Sequence, residues 1–401
     1  MSTLYFPTSK EALLPCEELL EIENSQRRLQ IGIPKESDLC EDRIALTPET
    51  AGILVQRGHC VMVEKQAGNG ANFTDLQYSE AGAYIVDPDE VYRADILFKI
   101  NPPTIDEMEL MKERQLVFSY LPAYKLSEEY IRKLAGKHIT AIAFENIRDR
   151  FDGYPLMRIM SEIAGIVSVQ IVSEYLSKTS GGKGVLLGGI SGVSPAEMVI
   201  IGSGVAAEFA VRSALGLGAF VRVFDNSVHS LQRLQENLGI RLYTSVMHPQ
   251  MIVKALASAD ALIGAAYIDG YQRQHLITEE MILHMKPGAI IVDLSINQGG
   301  CCETSELCSL AAPAVVRHGI IHYGVPNITS RVPVTASMAI SNLLANIILN
   351  MGQQGSLANW LKSDAGMRNG VYMYHGILTN PDIGHLYSIP SQDIHLLMAA
   401  F

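Results

Sequence analysis

The chain has 401 residues, 48% hydrophobic and 18% charged, with 31 Lys and Arg against 42 Asp and Glu for a formal net charge of −11. A chain longer than one core usually serves implies two domains, and an acidic balance without clustered Lys and Arg excludes a nucleic-acid partner. Six cysteines without a Cys-x-x-Cys pair exclude a disulfide scaffold, and the adjacent Cys301 and Cys302 are poorly placed to share one ion, so no metal site is expected.

Residues 1–29 read as an arm that mixes acidic and polar residues, with helical composition from Lys10 to Ser25. It lacks the basic start, apolar stretch and small-residue cleavage site of a secretion signal. No run approaches the roughly 18 apolar residues of a bilayer span. A cytoplasmic protein with no membrane partner is therefore expected.

From Leu29 onward the pattern becomes α/β: a strand at 29–33, a helix at 49–57 stopped by Gly58, and a strand at 60–64. Further strands are expected at 94–100, 116–121 and 139–144. A long helix over about 156–178, with Ile159, Ile163, Ile166, Val167, Ile171 and Tyr175 at helical spacing, then separates the halves. After a Gly-rich loop at 181–192, strands at 198–201, 221–224, 261–265 and 290–294 form a second alternation. A helix over 335–351 carries the chain back toward the first half. Strands interleaved with helices imply mostly parallel sheets. The expected fold is α/β, two Rossmann-like domains with a cofactor cleft between them: residues 30–155 completed by C-terminal helices in 334–401, and a dinucleotide-binding domain at 156–333.

The densest local signal is Gly202-Ser203-Gly204-Val205-Ala206-Ala207, which ends an apolar strand and opens a helix. The first glycine permits the tight turn, the second lets backbone approach a pyrophosphate, and Ala207 permits close helix–strand packing. The helix N-terminal N–H groups then face the phosphates. The next strand ends at Asp225, roughly 20 residues on, where a carboxylate accepts hydrogen bonds from ribose hydroxyls and repels a 2′-phosphate. NAD is the expected cofactor.

Several blocks resemble the alanine dehydrogenases and the related pyridine nucleotide transhydrogenase alpha subunits. They are Ile31-Gly-Ile-Pro-Lys-Glu36, Arg43-Ile-Ala-Leu-Thr-Pro48, Met160-Ser-Glu-Ile-Ala-Gly165, Gly181-Gly-Lys-Gly-Val-Leu-Leu-Gly-Gly189, Gln298-Gly-Gly-Cys301 and Val325-Pro-Asn327 with Val332, Pro333 and Thr335. The likeness spans about residues 31–353. It implies that Arg43 grips a substrate carboxylate, that Ser161 meets the nicotinamide or its ribose, and that Ala266, Leu294 and Asn327 line the same pocket. It also implies oxidative deamination of L-alanine to pyruvate and ammonia by a homo-hexamer.

Three positions depart from the family pattern. A substrate-binding lysine is Asn101, a histidine is Pro122, and an acid before Gln298 is Asn297. Lys99 is then the expected proton-transfer group, with a pKa that burial beside the cofactor lowers toward neutrality. A shift of alignment at Pro122 would instead bring in Tyr120 or Tyr124. The departures leave open a dehydrogenase for another amino acid, or a catalytically impaired NAD-binding sensor or assembly protein.

Overall fold

The computed structural model describes residues 28–38, 40–122, 126–266 and 275–400. The expected helix within 10–25, and Tyr124, lie outside them. The first sheet contains β1 (Gln30–Ile33), β2 (Cys60–Glu64), β3 (Tyr84–Val86), β4 (Ile96–Phe98), β5 (Leu116–Ser119) and β6 (Thr140–Ala143), parallel in the order β3-β2-β1-β4-β5-β6. The second contains β7 (Glu197–Ile201), β8 (Phe220–Phe224), β9 (Tyr243–Ser245), β10 (Ala261–Gly264), β11 (Ile290–Asp293), β12 (Ala314–Arg317) and β13 (Ile320–Tyr323). Its parallel order is β9-β8-β7-β10-β11-β13, with β12 antiparallel on the outer edge. Two C-terminal strands, β14 (Val371–Tyr374) and β15 (Ile377–Leu378), extend the first sheet antiparallel from β6.

Central strands such as β4, β6, β10 and β11 are buried along their whole length, because helices cover both faces of each sheet. Each sheet thus separates two apolar layers. The strand order reverses between β1 and β4 and again between β7 and β10. In an open parallel sheet, ligands bind in the crevice beyond the carboxyl ends of the strands at such a reversal. The two crevices face one another.

Two long helices join the halves, Pro155–Leu176 outward and Pro333–Gln353 in return, each opened by a proline whose missing N–H costs nothing in the first turn. By length and composition alone both could cross a bilayer, more than the sequence reading expected. Here they lie against both cores. Ala336 belongs to the second domain's core, and Ile340, one turn on, to the first's. Gly165 marks a close helix crossing, since a Cβ there would lie 2.3 Å from the Ala206 carbonyl oxygen.

The C-terminal segment also holds the loop after β1. Ser330 Oγ accepts from the Asp42 N–H at 3.0 Å, Ser337 Oγ from Ile44 N–H at 2.9 Å, and Ser341 Oγ from Thr47 N–H at 2.9 Å. The Ile44 and Thr47 amides are buried with no partner within a sheet, and each needs one. The loop carrying Arg43 is therefore positioned by residues nearly three hundred places away.

Candidate active site

The turn after β7 is built for a close ligand. Gly202 has φ of 104°, and a Cβ there would meet the Ala265 carbonyl oxygen at 2.7 Å and the Ala266 nitrogen at 2.8 Å. Gly204 caps the helix Val205–Gly216 without a side-chain bond, and no atom lies within 4 Å of where its Cβ would be. That open space abuts the first-turn N–H groups, a natural seat for an anion. Ala207 is fully buried behind it. At the end of β8, Ser203 Oγ donates to Asp225 Oδ2 at 2.7 Å and the Ser227 N–H to Oδ1 at 2.8 Å, so the carboxylate is oriented beside the turn. Turn, helix terminus and acid together fit a dinucleotide.

A cavity of about 200 Å³ lies between the domains. Arg43 and Tyr120 face it from the first domain, Met160 and Ser161 from the connecting helix, and Ala206, Leu294, Asn297 and Asn327 from the second. Six of the expected site residues thus converge on one space. Ala266 stands just outside, its carbonyl accepting from Ser295 Oγ at 2.5 Å. Asn327 adopts a left-handed backbone (φ 54°), which asparagine tolerates better than most residues.

Arg43 is almost entirely committed. Its Nε donates to Glu41 Oε1 at 2.6 Å and its Nη2 to Oε2 at 2.5 Å, while Nη1 donates to Thr329 Oγ1 at 2.8 Å. The Glu41 side chain is fully buried and also accepts from Ser330 Oγ at 3.3 Å and, at longer range, from the Asn101 amide at 3.4 Å. Burial opposes the charge on Arg43, yet the neighbouring Glu41, with Glu36 and Tyr120, holds its pKa above the ordinary value. Asn101 therefore sits one layer behind the cavity, against Glu41, and not in the lining.

Lys99 departs from expectation. Its side chain is fully buried, 3.2 Å from Glu36 and 3.5 Å from Glu107, and it does not line the cavity. Burial pulls its pKa down, but the two carboxylates outweigh that and raise it, the opposite of a base poised near neutrality. The physical reason is pairing: an ammonium held by acids stays charged. Glu36 also accepts from the Ile100 N–H at 2.6 Å and the Asn101 N–H at 3.2 Å, and burial pushes it up to about 7 despite these partners. Glu145 is held in a similar way near the end of the adjoining strand β5, accepting the Leu121 N–H on both oxygens at 2.9 and 3.1 Å, and burial likewise raises it to about 7.

Pro122 is buried and away from the cavity lining, whereas Tyr120 reaches it. Glu36, Glu41, Glu145 and Thr329 were not singled out by sequence. Glu36 and Glu41 stand in or beside the blocks around Arg43, and that adjacency was the available signal.

A model described as the N-terminal domain of alanine dehydrogenase/PNT matches residues 32–164, and one described as the C-terminal domain matches residues 168–381. The chain belongs to the alanine dehydrogenase/PNT family. An alanine dehydrogenase of Staphylococcus saprophyticus is 37% identical over 366 residues, covering 91% of this chain and 98% of its own length. A solved L-alanine dehydrogenase superposes with a TM-score of 0.84 at 36% identity, over 89% of this chain and 99% of its own. A transhydrogenase from Sinorhizobium meliloti gives a TM-score of 0.75 at 25% identity, over 88% and 99%. The family resemblance and the two-domain Rossmann-like fold expected from sequence are both borne out.

Proposed function

We propose that this chain is an NAD-dependent amino-acid dehydrogenase that deaminates L-alanine oxidatively to pyruvate and ammonia. The observation that carries the reading is the junction itself: one cavity is lined both by Ala206, in the first turn of the helix that follows the glycine turn, and by a buried arginine. When bound, NAD supplies the hydride acceptor. Asp225 takes the ribose hydroxyls and disfavours a 2′-phosphate, and Ser161, Leu294 and Asn327 flank the nicotinamide. Of the five N–H donors on a guanidinium, Arg43 spends two on Glu41, one on Thr329 and one, weakly, on Met160 Sδ at 3.5 Å. The remaining Nη2 hydrogen, with the Nη1 hydrogen that the weak Met160 bond gives up, meets the substrate carboxylate, and Glu41 keeps the guanidinium plane fixed. A cavity of about 200 Å³ is smaller than the roughly 300–1,000 Å³ of pockets for drug-sized ligands. A small amino acid suits it. The reading includes a cytoplasmic homo-hexamer, as the family resemblance implies.

The test is NADH formation from NAD across a panel of amino acids, and NADH consumption with 2-oxo acids plus ammonia. L-alanine and pyruvate are expected to be the best pair, with activity abolished by Arg43→Ala. Absence of turnover on the whole panel, from protein shown by calorimetry to bind NAD, overturns it. That outcome would favour a second reading, a nicotinamide-binding sensor, which draws support from a lining without histidine or carboxylate among the described residues. Asn297→Asp separates decay from redesign. A large gain in rate marks a decayed site, and no change marks a rewired one.

A further inference from the structure

Deamination requires the substrate ammonium to lose a proton as hydride leaves the neighbouring carbon. Of the described residues lining the cavity, only Arg43 and Tyr120 are ionisable. Arg43 is fixed as a cation by Glu41, and Lys99 is turned into its own buried ion pair. Ser161, Asn297, Asn327 and Thr329 offer hydrogen bonds but, unlike a phenol with its pKa of about 10, no side chain that ionises in water at accessible pH. We infer that Tyr120 is the catalytic residue that carries the proton between substrate nitrogen and solvent. This assignment rests on the deaminase reading above.

The local structure is that of a positioned group. The Tyr120 N–H donates to the Ile100 carbonyl at 3.0 Å, and Ser119 Oγ donates to the same oxygen at 3.2 Å. On the other side, the Leu121 N–H is held by both oxygens of Glu145. The ring packs against the first domain's core, and its oxygen interacts electrostatically with the Arg43 guanidinium. Backbone anchors on both sides hold the Tyr120 main chain at the edge of the cavity, and packing against the core holds its ring there.

In the deamination direction, the ionised phenol takes a proton from the ammonium. An N–H bond breaks, an O–H bond forms, and the nitrogen lone pair is freed to form the C=N bond as hydride passes from Cα to the oxidised nicotinamide. In the reverse direction the O–H returns that proton to nitrogen as hydride arrives on the imine carbon. Arg43 serves both partners, since it holds the substrate carboxylate and stabilises the phenol oxygen while it is negative.

The test uses full-length protein with L-alanine and NAD. Tyr120→Phe removes only the hydroxyl, and kcat is expected to fall about 10²–10⁴-fold. KM, NAD affinity by calorimetry, pyruvate binding to the NADH form by nicotinamide fluorescence and the melting temperature should stay within about twofold, as expected of a group acting chiefly in the transition state. The rising limb of the kcat/KM pH profile should disappear. The double variant Tyr120→Phe with Asn297→Asp, which puts a carboxylate on the facing wall of the same cavity, should regain some of the rate with a new limb at lower pH. If wild type turns over and Tyr120→Phe keeps its kcat and its limb, the assignment is overturned while the deaminase reading stands. If wild type is inactive on every amino acid, both fall.

Discussion

The two halves of the molecule share one strand order and use it in opposite ways. In the second domain the crevice beyond β7 is emptied: Gly202 and Gly204 leave backbone and space, and one oriented acid, Asp225, stands beside them. In the first, the loops beyond β1 and β4 are filled with charge, Glu36 with Lys99 and Glu41 with Arg43, all of it buried but for the edge that Arg43 shows to the cavity. The same topology therefore yields a site that recognises by backbone and a site that recognises by a prearranged side chain. Recognition of the second kind depends on stability, because the buried charges must stay paired.

The sharpest way to break this contrast is Glu41→Ala, which leaves Arg43 charged, buried and without its carboxylate. Removing one partner of a buried pair costs about 3–5 kcal/mol, so urea unfolding should lose that much while the dinucleotide turn, a domain away, keeps its NAD affinity. Arg43→Met with Glu41→Met should recover most of the stability but none of the activity.

A second test uses pH. Glu36 and Glu145 titrate near 7 in the folded protein against 4.5 for a free glutamate, so the native state binds more protons than the unfolded chain between those values. Stability then falls as pH rises through that window and is restored as pH drops below it, by up to about 3 kcal/mol per group. Denaturant melts at pH 5 and pH 8 should show the difference, and Glu145→Gln should reduce it.

The same contrast explains what was legible in the sequence. The glycine turn, its strand and Asp225 are contiguous, and the apolar runs of β10 and β11 are buried on both faces, so periodicity and motif were enough. The strands that escaped notice are short: β3, β9 and β12 are only partly buried, β13 is buried but only four residues long, and β14 and β15 exist because β6 offers them an edge. In the first domain the residues were visible but their partners were not. Lys99 stands on a strand end whose local text cannot say that Glu36 and Glu107 enclose it. Nor can it say that Ser330, Ser337 and Ser341 return to hold the Arg43 loop. Pairings across such separations are properties of the fold, and the one around Lys99 keeps its ammonium charged where the sequence suggested a lowered pKa.

Smaller effects sharpen the dinucleotide side. Gly202→Ala introduces a Cβ at positive φ against the Ala265 and Ala266 backbone, a strain of about 1–3 kcal/mol. Since the strain is relieved by moving the turn that seats the pyrophosphate, NAD affinity should drop roughly 10–100-fold by calorimetry. Asp225→Asn should act more weakly and in a way strain cannot imitate. A hydrogen bond to a charged acceptor is worth about 1.5–3 kcal/mol, so NAD binding should weaken at least about tenfold. NADP binding should hold or improve as the repulsion of the 2′-phosphate disappears. Ser203→Ala removes only the bond that aims Asp225, at 2.7 Å, leaving the Ser227 N–H to hold the other oxygen. Loss of one of two anchors should cost only a few-fold in NAD affinity and leave the preference for NAD over NADP in place, because that preference comes from the charge and not from its aim.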